Sequence, residues 1–196
     1  MKSILFIICF TISAMTYSQE LEGSWILTHQ NGVSITDKEF IKIYQDGYFA
    51  FGAKELDGDK FLYAGGGEYN LDGNVYKEHL DFLTLDPDQI GTTNTYTLNF
   101  ANDRLVISTK IKGEELIEIW ERVSQEEDDL TRNWVITGRK RGDKISEMTP
   151  GPRRTVKILS GGRFQWIAFN SETKAFSGTG GGEYEAKDGK YIEKIT

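Results

Sequence analysis

The chain has 196 residues, 38% of them hydrophobic and 12% aromatic, with 23 basic and 30 acidic side chains for a formal net charge of −7. Acidity of this order argues against nonspecific nucleic-acid binding. The single cysteine, Cys9, excludes a disulfide framework and a thiolate metal site.

Residues 1–18 read as a secretory signal. Lys2 precedes an apolar run over 4–10, and Thr16 and Ser18 hold the small-residue cleavage positions. That run is shorter than the ~20 residues of a membrane span, and Ile8 is too large for a lipoprotein signal ending at Cys9. The expectation is an exported protein, periplasmic or secreted. It starts near Gln19, has no thiol, and does not insert in the membrane once the signal is gone. Its charge is then −8, from 22 basic and 30 acidic groups.

From Gly23 onward the pattern is β. Strands are predicted over 23–29, 39–45, 48–53, 61–70, 74–85, 94–101, 104–112 and 115–123. Turn pairs punctuate them, among them Asp46-Gly47, Asp57-Gly58, Asp72-Gly73, Asn102-Asp103 and Lys112-Gly113. Eight short strands joined by tight turns point to an all-β, antiparallel, up-and-down barrel over 19–123; a two-sheet sandwich is the alternative. Glu126-Glu127-Asp128-Asp129 marks an acidic linker over 124–129.

The segment 130–196 then repeats what came before. Gly65-Gly66-Gly67-Glu68-Tyr69 recurs as Gly180-Gly181-Gly182-Glu183-Tyr184, an offset of 115 (180 − 65). The same offset pairs Ile43 with Ile158, Gly47 with Gly162, Tyr76 with Tyr191 and Glu78 with Glu193, while Trp25 pairs with Trp134 at 109 (134 − 25). Such self-similarity predicts a tandem repeat. Its second copy has about five strands, near 132–138, 154–160, 163–169, 175–186 and 189–196. Counterparts of 82–123 are missing, so this copy is expected to be truncated. The copies differ in charge: 21–81 carries 5 basic and 11 acidic groups, 130–196 carries 13 and 7.

The inventory of reactive groups is thin. His29 and His79 are the only histidines, they lack metal-ligand spacing, and no nucleophile elbow or phosphate loop occurs. No catalytic residue, cofactor or metal is expected. Tyr76 and Glu78 alternate with Leu80 and Phe82 and so share the expected core face. A carboxylate there is either a hydrogen-bonded core residue or the polar anchor of a ligand cavity. Trp25, Phe49, Phe51, Tyr63, Phe82 and Trp120 would line that cavity or simply fill it. Trp134, Phe164, Trp166, Tyr191 and Glu193 are the repeat equivalents. Arg139, Lys140, Arg141, Lys144, Arg153 and Arg154 flank a loop with Pro150 and Pro152, read as a mobile basic barrel mouth.

Gly23-Ser24-Trp25 resembles the Gly-X-Trp opening of lipocalin-type barrels. The wider set resembles the secreted lipocalin-like (calycin-type) domains of Gram-negative bacteria. It comprises Trp25, Gly47/Phe49/Phe51, the triple-glycine motif, Tyr76/Glu78 and the closing run 116–123. Copy two departs from it at Arg132, where the glycine should be, which puts its floor in doubt. The resemblance implies a binding barrel. Two functions follow as expectations: a non-enzymatic protein holding a small, mostly apolar ligand, or an interaction module with side-chain-filled barrels and an unidentified protein partner.

Overall fold

The computed structural model describes residues 19–57, 60–149 and 151–196. The expected export signal over 1–18 lies outside them, as do Gly58 and Pro150. Strand β1 (Gly23–Gln30) is followed by β2 (Val33–Ser34), β3 (Lys38–Gln45), β4 (Tyr48–Glu55), β5 (Phe61–Asp72), β6 (Val75–Leu83), β7 (Thr93–Ala101), β8 (Arg104–Ile111) and β9 (Glu114–Ser124). Each main strand begins and ends within two residues of its predicted span. Tight turns set this order. Asp46 and Gly47 both have positive φ, 49° and 73°, the backbone that lets two residues join strands of natural twist.

All neighbours are antiparallel, in the order β1-β3-β4-β5-β6-β7-β8-β9, and β9 pairs back with β1. The eight strands therefore close into a barrel without a free edge, and β2 is a short flap on β1. Closure brings backbones together at Gly23, where a Cβ would lie 2.5 Å from the Ser124 carbonyl oxygen. At Gly67, with φ +158°, a Cβ would lie 1.9 Å from the His79 carbonyl oxygen. The register of β5 on β6 slips by one residue there. The bulge requires Gly67, while Gly65 and Gly66 make room for the Phe51 ring and the Phe49 carbonyl, which a Cβ would meet at 2.2 and 2.5 Å.

The slip corrects one expectation. Beyond it, Phe82 faces outward instead of sharing the inner face with Leu80: Gly67 pairs with Leu80, but Gly66 pairs with Phe82, and Asp81 is the extra residue. The period of two therefore breaks between Leu80 and Phe82.

A second sheet follows, built from β10 (Arg132–Val135), β13 (Arg153–Ser160), β14 (Arg163–Asn170), β15 (Phe176–Lys187) and β16 (Lys190–Ile195), in that order. Between its first two strands lies a separate hairpin of β11 (Gly138–Arg141) and β12 (Lys144–Glu147). Arg139, Lys140, Arg141 and Lys144, four of the basic residues flanking the predicted loop, thus lie on a hairpin. Gly142, with φ +59°, turns the chain so that Arg141 pairs with Lys144.

The second sheet repeats the order β1-β3-β4-β5-β6, and β13, β14 and β15 match β3, β4 and β5 residue for residue at the offset of 115. Gly182 has φ +154°, and a Cβ there would meet the Lys194 carbonyl oxygen at 2.1 Å, as at Gly67. The indole N–H of Trp25 donates to the Leu21 carbonyl at 2.9 Å, and that of Trp134 donates to Leu130 at 2.9 Å. The floor geometry survives Arg132 because, among the described residues, no strand passes where Ser124 crowds Gly23.

The two units pack back to back. Ile43, Ala50, Ala64 and Phe82 on the outer wall of the barrel form one cluster with Ile158, Ile167 and Phe169. Phe82 stacks on Phe169 at 5.8 Å. Polar contacts frame the cluster: Ser24 Oγ donates to the Gly161 carbonyl (2.7 Å), and Asn133 Nδ2 donates to the Gln45 carbonyl (2.6 Å). Ser160 Oγ donates to Gln45 Oε1 at 2.8 Å. Gln45 and Ser160 are themselves equivalent positions (160 − 45 = 115), as are Ile43 and Ile158. Equivalent residues meeting across an interface are the mark of an approximate two-fold axis.

Candidate functional site

The inner face of the barrel gathers most of the aromatic candidates. Trp25, Phe49, Tyr76 and Trp120 are no more than 1% exposed and share one cluster with Leu80, Leu105 and Ile107. Phe51 and Tyr63 sit nearer the rim, with Phe40 bridging them at 5.4 Å to each ring. Glu78 is buried among them, and Phe82 is not part of the group.

A residue not singled out from the sequence holds the centre. Lys42 points inward from β3, in phase with Phe40 and Tyr44, and its ammonium is ion-paired with Glu78, both side chains 6% exposed. Its Nζ lies 4.8 Å from the Phe49 ring centre and 5.4–5.8 Å from the rings of Tyr44, Phe51, Tyr76 and Trp120. Tyr76 Oη donates to Glu78 Oε1 at 2.7 Å, and the hydroxyls of Tyr76 and Tyr44 are hydrogen-bonded at 3.2 Å. A buried charge demands such partners, since each ion costs several kcal/mol to desolvate. The signal was present in the sequence: Lys42 recurs as Lys157 at the offset of 115 (157 − 42).

The electrostatics follow from this geometry. Burial disfavours the Lys42 ammonium, yet Glu78 beside it, helped by Tyr44, holds its pKa above the ordinary lysine value. A lysine held protonated is neither nucleophile nor base. Burial, and then the Glu78 charge, push the Tyr76 hydroxyl up; burial does the same for Tyr44. Glu118 faces the same interior, accepting from Trp120 Nε1 (3.1 Å) and Gln30 Nε2 (3.3 Å). Burial raises its carboxyl above the usual range against the pull of Lys42.

The second sheet repeats the wiring. Lys157 pairs with Glu193, and Tyr191 Oη donates to Glu193 Oε1 at 2.5 Å. Lys157 Nζ lies 4.6 Å from the Phe164 ring centre, and Trp166 packs against the same small cluster. Here the face is open among the described residues: Trp134 is 44% and Tyr191 40% exposed.

Two clefts flank the packed interface. One, about 260 Å³, lies between Glu39, Lys54 and Phe61 on the barrel and Arg163, Gly181 and Thr196 on the sheet. The other, about 790 Å³, runs between Tyr48, Glu68 and Asp81 on the barrel and β10, β13 and the segment around Met148. Tyr48 Oη donates to Asp81 Oδ2 at 3.1 Å. Burial lifts the Asp81 carboxyl, against that bond. The described residues include no group of three or more histidine, cysteine or carboxylate side chains placed to hold a metal, and no helix long and apolar enough to cross a membrane.

No curated protein matches the chain. One family model does, over residues 20–131, and it spans the whole closed barrel and the linker after it. With an eight-stranded antiparallel barrel of lipocalin-like form over the same residues, the chain belongs to the family described as domain of unknown function DUF4488.

Proposed function

We propose that this is a non-enzymatic binding protein whose barrel is a side-chain-filled scaffold, and whose ligand or partner is taken up on the outside, where barrel and second sheet meet. One observation carries this: the barrel centre, where a lipocalin-type ligand would lie, is occupied by the Lys42 ammonium, its partner Glu78 and five aromatic rings. Of the two functions expected from the sequence, it favours the interaction module over an apolar ligand inside the barrel. Glu78 is then the satisfied core glutamate and not the polar anchor of a ligand cavity. The matched Lys–Glu–Tyr sets support an origin by tandem duplication, and the apolar run over 4–10 supports export.

The test is uptake of a small apolar probe. A filled interior admits none, whereas an engineered apolar cavity binds benzene. In methyl NMR spectra, benzene leaves Leu27, Leu80, Leu98 and Ile107 unmoved in the natural protein and shifts them in Leu105→Ala. Movement of those methyls in the natural protein refutes the scaffold reading.

A further inference from the structure

The approximate two-fold axis makes the two clefts counterparts, and their difference is informative. Glu39 and Arg163 in the small cleft, and Glu183 beside Arg163, correspond at the offset of 115 to Arg154, Tyr48 and Glu68 in the large one (154 − 39, 163 − 48 and 183 − 68). In the small cleft Arg163 forms a latch across the interface, reaching Glu39 of the barrel at 3.9 Å, while Glu183, its neighbour in the second sheet, pairs with it at 3.5 Å. In the large cleft the charges at the first two positions are exchanged for a guanidinium and a phenol, and Tyr48 bonds instead to Asp81 on its own barrel. No ion pair crosses there among the described residues, and the cleft stays open at about 790 Å³, the size range of small-molecule sites.

The lining of the large cleft is divided. Val135, Ile136 and Met148 are apolar and 40–53% exposed, and the rim of Phe169 and Val156 continues that surface inward. Arg139, Arg153 and Arg154 lie along the same wall, each without a carboxylate within salt-bridge distance among the described residues. Lys157 is already held by Glu193. The carboxylates that face the cleft, Glu68 and Asp81, are on the opposite, barrel wall. Exposed apolar surface beside unpaired guanidinium groups matches a molecule with an apolar body and an anionic head.

We infer that the large cleft binds a small anionic amphiphile, its head on Arg153 and Arg154 and its body along Val135, Ile136 and Met148. This rests on the scaffold reading above and names the ligand class for it. The amphiphile lies along the sheet wall of the large cleft, and the latched cleft takes none.

Dodecanoate, below its micelle concentration, is the probe, with dodecan-1-ol supplying the chain without charge and inorganic phosphate the charge without chain. With the full chain, calorimetry is expected to show one dodecanoate site, weakened by salt and at least about tenfold tighter than dodecan-1-ol. Phosphate alone does not bind. Arg153→Gln/Arg154→Gln lowers dodecanoate affinity about tenfold or more, whereas Glu39→Gln, in the latched cleft, leaves it unchanged. Equal affinity for acid and alcohol, or indifference to the double substitution, overturns the inference. If dodecanoate binds and shifts the methyls of Leu80 and Ile107 inside the barrel, the scaffold reading fails with it. If it binds nowhere, only the ligand class falls.

Discussion

Replacing Lys42 by methionine keeps most of the side chain's bulk and deletes its charge, leaving Glu78 buried with the Tyr76 hydroxyl as its remaining partner. Both members of the pair are 6% exposed, so the removal leaves an uncompensated interior charge, at a cost of about 3–5 kcal/mol. Removing both charges, in Lys42→Met/Glu78→Leu, is a different perturbation. Apolar replacement of a buried pair ranges from neutral to stabilising by ~1–4 kcal/mol. Against that, Tyr76 loses one acceptor, worth about 1 kcal/mol, while keeping its bond to Tyr44. The double variant should therefore regain most of what the single one loses. The second sheet supplies an internal control: Lys157 and Glu193 are 27% and 24% exposed, so Lys157→Met should cost no more than about 1 kcal/mol. Urea unfolding followed by tryptophan fluorescence reads all three, and the single variant should shift the midpoint by about 1 M or more. A Lys42→Met protein within about 1 kcal/mol of the parent, or a double variant as unstable as the single, would refute the assignment of a buried, mutually dependent pair.

Four further outcomes follow from the same geometry. Gly67→Ala drives a Cβ to 1.9 Å from the His79 carbonyl oxygen and should cost at least ~1–3 kcal/mol in backbone strain alone. Gly47→Ala, with φ +73° but open space around it, should cost only about 1 kcal/mol in the same urea unfolding experiment. Burial raises the Glu118 carboxyl above its ordinary 4.5, so the folded chain holds that proton to higher pH than the unfolded chain. Its contribution is full at low pH and is lost as pH rises through the folded value; Glu118→Gln should flatten the fall in stability above pH 4.5. Phe169→Ala removes the ring stacked on Phe82 and should cost about 3–5 kcal/mol, with protease cutting of the second sheet rising before that of the barrel.

Much of the fold was legible because its signals are local. Asp-Gly pairs and alternating runs specify hairpins, and a meander of eight hairpin-linked strands has few ways to hide its edges. Recurrence at an offset of 115 also exposed the second sheet. What escaped was long-range. Phe82 faces outward because Asp81 is an extra residue where β6 pairs with β5, a feature of two strands that alternation along one strand cannot reveal. A lysine on a strand carries no mark of burial until a strand distant in sequence, here β6, brings Glu78 to Lys42. Gln45 and Ser160 gave no sign of meeting, since an interface between two similar units leaves little trace in either alone.

The account stands on a lysine ammonium filling the barrel, and lysine side-chain NMR addresses it directly. Near neutral pH, Lys42 should give an ammonium resonance protected from exchange by Glu78 and displaced by the rings around it, unchanged by saturating dodecanoate. An Lys42 signal that exchanges like those of surface lysines, or one that moves when dodecanoate is added, would show an interior open to solvent or ligand and contradict it.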